Sequence, residues 1–149
     1  MMPIQLGELV TVEISVRPTV DLGGGRRYVS FDGGTFAGRD GVSGEVGEGG
    51  VDWQVVRPGG VIEIDAHYVL RTEAGETIEV VSQGLRRATD AVAARIARGD
   101  IVAADEYYFR TNVRFSTSSP RLAWLNDLIA ISTGERERDI VRIHVHEVL

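Results

Sequence analysis

At 149 residues the chain fits one domain with a sizeable core, and its 43% hydrophobic and 26% charged residues are those of an ordinary globular protein. A net charge of −6 argues against a nucleic-acid partner, which needs a basic stripe. All 16 basic residues are arginine and cysteine is absent, which excludes lysine Schiff bases, thiolate nucleophiles, disulfides and cysteine metal centres.

In chain order, residues 1–9 lack a basic region followed by an apolar run, so no secretory leader is expected. No apolar stretch approaches the roughly 20 residues of a membrane helix, and the expectation is a cytoplasmic protein. Val10, Val12, Ile14 and Val16 alternate with polar residues, the period of a strand, which Pro18 should end. Residues 23–25 are three glycines and mark a turn before a short strand at 28–31. Gly33-Gly34 is expected to break the chain again. Short strands at 42–46 and 51–57 flank the glycine-rich turn 47–50. Pro58-Gly59-Gly60 and Glu73-Ala74-Gly75-Glu76 then make hairpins of the strands 51–57, 61–71 and 77–83. Residues 89–98 form the one convincing helix: Thr89 or Asp90 can cap it, Val92 and Ile96 lie four apart, and Gly99 can end it. Further strands are expected at about 107–115, 122–132 and 139–148, with loops at 116–120 and 134–138. Short strands at close intervals with no β-α-β rhythm predict an all-β chain with one short helix, either a sandwich or an up-and-down antiparallel barrel.

The strand faces supply the candidate chemistry. On 61–71 one face carries Ile62, Ile64, Ala66, Tyr68 and Leu70, and the other carries Glu63, Asp65, His67, Val69 and Arg71. In the plain reading the apolar face is core and the charged face meets water. In the functional reading Asp65 and His67 project into a barrel cavity, where burial and mutual charge tune both for acid–base work. The apolar face would then point outward and need a partner subunit, which is the ground for expecting a homo-oligomer. On 107–115, Tyr107, Phe109, Val113 and Phe115 read as core, while Tyr108 and Arg110 share the other face. Arg110 is a surface cation, a buried ion-pair partner or an anchor for an anionic or carbonyl-bearing ligand. Trp124 and Asn126 share a face of the next strand and make either a stacking surface with a hydrogen-bonding handle or a core tryptophan beside a turn. Asp52-Trp53 follows a glycine turn and places a carboxylate and an indole at a barrel end or a pocket rim. His144 and His146 have the spacing of a metal pair, yet no third ligand is evident, and the pair reads as a solvated or interface face. No metal or cofactor is called for. The glycine runs do not precede a helix, so no phosphate cradle is expected.

Taken together, Gly33-Gly34-Thr35-Phe36, Gly44, Gly50, Asp52-Trp53, Asp65, Tyr68, Gly84, Glu106-Tyr107-Tyr108-Phe109-Arg110-Thr111, Phe115 and Trp124-Leu125-Asn126 resemble a bacterial and fungal family known as domain of unknown function thirty-two thirty-seven. The resemblance runs from about residue 25 to residue 148. It implies a small antiparallel β-barrel and no assigned activity. His67 stands where the family pattern has arginine, which opens chemistry particular to this member.

These residues lead to the expectation of a small-molecule-binding barrel. Its function would be cofactor-independent acid–base catalysis, as an isomerase, lyase or cyclase, on a carbonyl-bearing hydrophobic molecule. Asp65, His67 and Arg110 are the expected catalytic residues, and Asp52, Trp53, Tyr108, Trp124 and Asn126 the expected substrate contacts. A barrel that binds an apolar ligand without changing it is the alternative.

Overall fold

The computed structural model describes Met1–Leu149. It contains β1 Leu6–Val16, β2 Val20–Gly23, β3 Arg26–Gly38, β4 Ser43–Val46, β5 Val51–Val56, β6 Ile62–Thr72, β7 Thr77–Arg87, α1 Asp90–Ala97, β8 Tyr108–Ser116, β9 Ala130–Glu137 and β10 Ile140–Val148. Three 3-10 turns lie at Arg39–Gly41, Ala104–Glu106 and Pro120–Asp127. No helix is long and apolar enough to cross a membrane.

Every strand pairing is antiparallel. The path β1-β10-β9-β8-β7-β6 continues through β4 and β5 to β3, and β3 pairs back onto β1. β4 and β5 both lie between β3 and β6, one above the other, and together form a single stave. The result is a closed, eight-staved up-and-down barrel. Closure leaves no long edge to aggregate, and eight staves enclose a lumen about as wide as the side chains that fill it.

Alternation decides what fills it. Ile64, Ala66, Tyr68 and Leu70 of β6 are buried, as are Phe109, Thr111, Val113 and Phe115 of β8. All of these except Thr111 belong, with Val12, Ile14, Val80, Ile143 and Val145, to one cluster of 25 buried residues. Fully burying each of the larger side chains is worth roughly 1.5–3 kcal/mol. The plain reading of residues 61–71 therefore holds: the apolar face is inside, where the barrel itself covers it, and the argument for a partner subunit on that face lapses.

The helix forms as its caps predict. Thr89 Oγ1 accepts the N–H of Val92 at 3.2 Å, and Gly99 leaves the helical region at φ +84°. Three expectations are corrected. Gly33-Gly34 does not break β3. Gly34 (φ +148°) lets β1 approach so closely that a Cβ there would sit 2.0 Å from the Glu13 carbonyl oxygen. Residues 120–127 are a 3-10 turn rather than a strand. Pro120 cannot donate to a ladder, and Leu122 and Leu125, three apart, are buried at the spacing of a three-residue turn. The loop expected at 134–138 is instead the end of β9, and the hairpin turn lies at Arg138-Asp139, where Arg138 takes a positive φ.

The two ends of the barrel differ. The connections β2–β3, β5–β6, β7–α1–β8 and β9–β10 gather at one end, the mouth. At the other end the 120–127 turn lays Leu122 and Leu125 over Leu9, Phe36, Leu70, Ile78 and Phe115, leaving an apolar void of only about 30 Å³.

Candidate functional site

Near the mouth the inward face changes from apolar to charged. β3 contributes Arg27, β5 contributes Asp52 and Gln54, β7 contributes Arg86, and β9 contributes Arg136. Arg27 Nε donates to Gln54 Oε1 at 2.7 Å, and Gln54 Nε2 donates to Asp52 Oδ2 at 2.7 Å. The backbone N–H of Asp65 donates to Asp52 Oδ1 at 3.0 Å. Both oxygens of the Asp52 carboxylate are thus fixed from one side each, and each keeps a lone pair for another partner. Asp52 is only 8% exposed. Burial raises its pKa above the ordinary carboxylate range, against the opposing pull of Gln54, the Asp65 N–H and the nearby Arg86.

The three arginines crowd one another. Burial, together with the neighbouring Arg136 and Arg27, lowers Arg86 to about 10, and it stays a cation at neutral pH. Arg136 and Arg27 are lowered for the same first reason, burial. Arg27 is engaged by Gln54, and Arg136 Nε donates to the Arg138 carbonyl at 2.7 Å. Arg86 has neither an ion pair nor a side-chain hydrogen bond, so its guanidinium donors are free. Tyr107, buried beside them, accepts the Arg136 backbone N–H on its hydroxyl oxygen at 2.7 Å.

Asp52, Gln54, Arg86 and Arg136 share one cavity with Ile14, Phe31, Ile64, Tyr68, Phe109, Thr111 and Ile143. Its volume is about 40 Å³, space for roughly three waters or one planar polar group. A buried carboxylate with a displaced pKa beside unpaired cations in an apolar lumen has the makings of a reactive site.

Most of the residues expected from the sequence lie elsewhere. Asp65 and His67 do not face the lumen. They stand on the outer wall, 47% and 58% exposed at the side chain, with His67 Nε2 3.0 Å from Asp65 Oδ1. Gln83 also donates to Asp65. Arg110 and Tyr108 share that wall, the guanidinium 5.0 Å from the ring centre, and Arg87 covers the same ring at 4.1 Å. Trp53 is half-exposed and packs on Tyr28 at 5.1 Å. Trp53 and Asp65 line a shallow, open trough of about 410 Å³, and Tyr108 and Arg110 another of about 530 Å³. Alternation puts them outside: on β6 and β8 the opposite face is the apolar one, and on β5 it carries the inward Asp52 and Gln54. Trp124 and Asn126 sit at the sealed end, far from the mouth. Asn126 accepts the Thr117 N–H at 2.8 Å and donates to the Thr117 carbonyl at 3.0 Å, pinning the 120–127 turn to the end of β8. His144 is held on the outer wall by Glu135 at 3.1 Å. Of the expected residues, Asp52 alone enters the lumen.

The sequence reading missed Arg27, Gln54, Arg86, Arg136 and the lumen-facing role of Tyr68. The available signal was parity. Arg86 continues the inward series Val80, Ser82, Gly84, and Gln54 lies two residues from Asp52. A charge that ends an otherwise apolar face marks the rim of a barrel.

A UPF0311 protein from Rhodopseudomonas palustris is 36% identical over 126 residues, covering 85% of this chain and 82% of its own. The crystal structure of a conserved protein of unknown function from R. palustris superposes with a TM-score of 0.94 at 33% identity, with both chains fully covered. The crystal structure of an enzyme from Penicillium herquei has the same fold, with a TM-score of 0.72 at 22% identity over 100% of this chain and 97% of that one. The family described as protein of unknown function (DUF3237) matches residues 4–148, nearly the whole length, and the chain belongs to it.

Proposed function

We propose that this barrel binds a carbonyl-bearing, largely apolar small molecule at its mouth and performs cofactor-independent acid–base chemistry on it, as an isomerase, lyase or cyclase. The observation that carries the reading is the Asp52 carboxylate, buried among three arginines. Asp52 takes a proton from the carbon beside the carbonyl. The charge that develops on the carbonyl oxygen is met by the free guanidinium of Arg86, with Arg136 and Arg27 adding to the field. Returning the proton to a second carbon gives an isomer, while loss of a leaving group or attack on an internal electrophile gives the lyase or cyclase outcome. The cavity admits only the polar end of the ligand, and the apolar remainder rests at the rim. The outer-wall group Asp65, His67 and Arg110 is too open to water to tune a proton transfer in this way. That a Penicillium protein of the same fold is an enzyme agrees with catalysis and assigns no reaction to this chain.

The test is incubation of the protein with a small-molecule extract, followed by mass spectrometry of bound and altered species. Asp52→Asn should keep binding and lose about 100-fold or more in turnover, the usual worth of a general base. Undiminished turnover in Asp52→Asn would remove the residue from the chemistry. Saturable binding with no product from the wild type would make the barrel a carrier instead.

A further inference from the structure

One polar atom in the lumen is left without a partner. The hydroxyl of Tyr68 is fully buried and makes no hydrogen bond, and it is alone in this among the buried side-chain polar atoms. Leaving such a group unmatched is costly, and an orphan of this kind calls for a physical reason. Tyr68 lines the same cavity as Asp52, Arg86 and Arg136. Ala66 is the β6 residue paired with Asp52. Tyr68 lies two residues further from the mouth on the same inward face, about 6–7 Å deeper at the rise of a strand. Its ring is held edge-on by Phe31 at 5.4 Å between centroids.

We propose that Tyr68 and Arg86 together form an oxyanion receptor. In it the ligand oxygen accepts the Tyr68 O–H from the lumen side and a guanidinium N–H from the mouth side, which makes the substrate class an enolisable carbonyl compound bound as its planar oxyanion. The inference rests on the acid–base reading of the same site and adds Tyr68 as a catalytic residue for it. Three features favour an oxyanion over a neutral oxygen. The cavity is lined by two guanidiniums, Arg86 and Arg136, against the one carboxylate of Asp52. The free donors are all N–H or O–H. Burial pushes the Tyr68 hydroxyl further above its ordinary range, so that it stays protonated and can only donate to an anion. The cavity walls Phe31, Phe109, Ile64 and Ile143 are apolar, so the oxygen enters first while the planar apolar body behind it stays at the rim.

A phenolate carries the same pattern, one anionic oxygen on a flat apolar body, and needs no carbon–hydrogen bond to be broken. The probe is 4-nitrophenol, whose absorbance reports whether it is bound as phenol or phenolate, with nitrobenzene as the equally flat control that lacks the oxygen. The wild type should bind the probe as phenolate, at least tenfold more tightly than nitrobenzene, and should lower the pH at which the bound probe ionises. Tyr68→Phe should weaken phenolate binding about tenfold or more, the usual worth of a hydrogen bond to a charged group, and leave nitrobenzene unchanged. The same variant should be at least as stable to urea as the wild type, because it removes an unmatched hydroxyl. Arg86→Gln should also weaken phenolate binding, which gives a second reading if Tyr68→Phe repacks. Equal affinity for the two probes in the wild type, or undiminished phenolate binding in Tyr68→Phe, overturns the receptor. Asp52→Asn should bind phenolate as well as or better than the wild type. The receptor and the acid–base reading therefore fail on separate measurements, probe binding for one and turnover for the other.

Discussion

Glu76 shows how much a single side chain can do at the sealed end. Its carboxylate accepts hydrogen bonds from Thr72 Oγ1 at 3.0 Å, from the Ser119 hydroxyl and from the Arg121 guanidinium, so the β6–β7 turn and the 120–127 turn meet on one residue. Arg121 first and Ser119 second lower its pKa from 4.5 to about 2. A lowered carboxylate pKa means that the unfolded chain binds more protons than the folded one in that window. The contribution of Glu76 is then fully present above 4.5 and is lost as the pH falls toward 2. Urea titrations of the wild type and Glu76→Gln should differ at neutral pH and converge as the pH drops through this window; a gap independent of pH would mean that the carboxylate charge is irrelevant. Asp52 works with the opposite sign. Its raised pKa makes ionisation destabilising, so stability is highest below the ordinary carboxylate value and declines as the pH rises through the folded-state value. The residue on which the proposed chemistry rests is one that the fold accommodates at a loss, as is common where reactivity and packing compete.

At the scale of elements, tight strand coiling has left its mark on inward-facing glycines. A Cβ on Gly84 would lie 2.0 Å from the Arg110 carbonyl oxygen and 2.6 Å from Thr111 Cα, so β7 could not keep its register on β8. On Gly134 a Cβ would meet the Phe109 ring at 2.8 Å, and a ring can shift where backbone cannot. Gly84→Ala should therefore cost about 3 kcal/mol or more and Gly134→Ala nearer 1, read as shifts of the urea midpoint at unchanged slope. Equal losses would refute the distinction between backbone and ring. The same elements explain what was readable beforehand. Strands β1, β6, β7, β8 and β10, both hairpin turns and helix α1 follow from period-two alternation, Pro and Gly punctuation and caps, all of them local signals. The 120–127 turn was misread because Leu122, Trp124, Asn126 and Leu128 also satisfy a period of two; only the packing of Leu122 and Leu125 selects a period of three. The site was misread for a deeper reason. Aromatics and charges that stand out in the sequence, such as Asp65, Tyr108 and Arg110, stand out because they alternate with an apolar core face, and that places them outside. Arg27, Arg86 and Arg136 are ordinary arginines in the sequence. They acquire meaning only when barrel closure brings three distant strands to one rim.

The whole molecule combines an acidic net charge of −6 with a cationic mouth. The surface at large repels anions, while the one concave, desolvated cluster of positive charge attracts them, and low-dielectric walls concentrate that field. Closure also grades the stability. β1, β6, β7 and β10 have a bonded neighbour on both sides along much of their length, whereas β2 pairs with β3 alone and residues 88–107, anchored by Ile96, Val102 and Tyr107, join no strand ladder. Hydrogen exchange should protect the first group longest and release β2 and 88–107 earliest; uniform protection around the barrel would contradict this ordering. The packed end beneath Leu122 and Leu125 has a consequence for traffic. The barrel is a cup and has no through-passage, so whatever enters must back out by the same doorway. For the proposed isomerisation, substrate and product would exclude each other from the one cavity, and the product should inhibit competitively against the substrate.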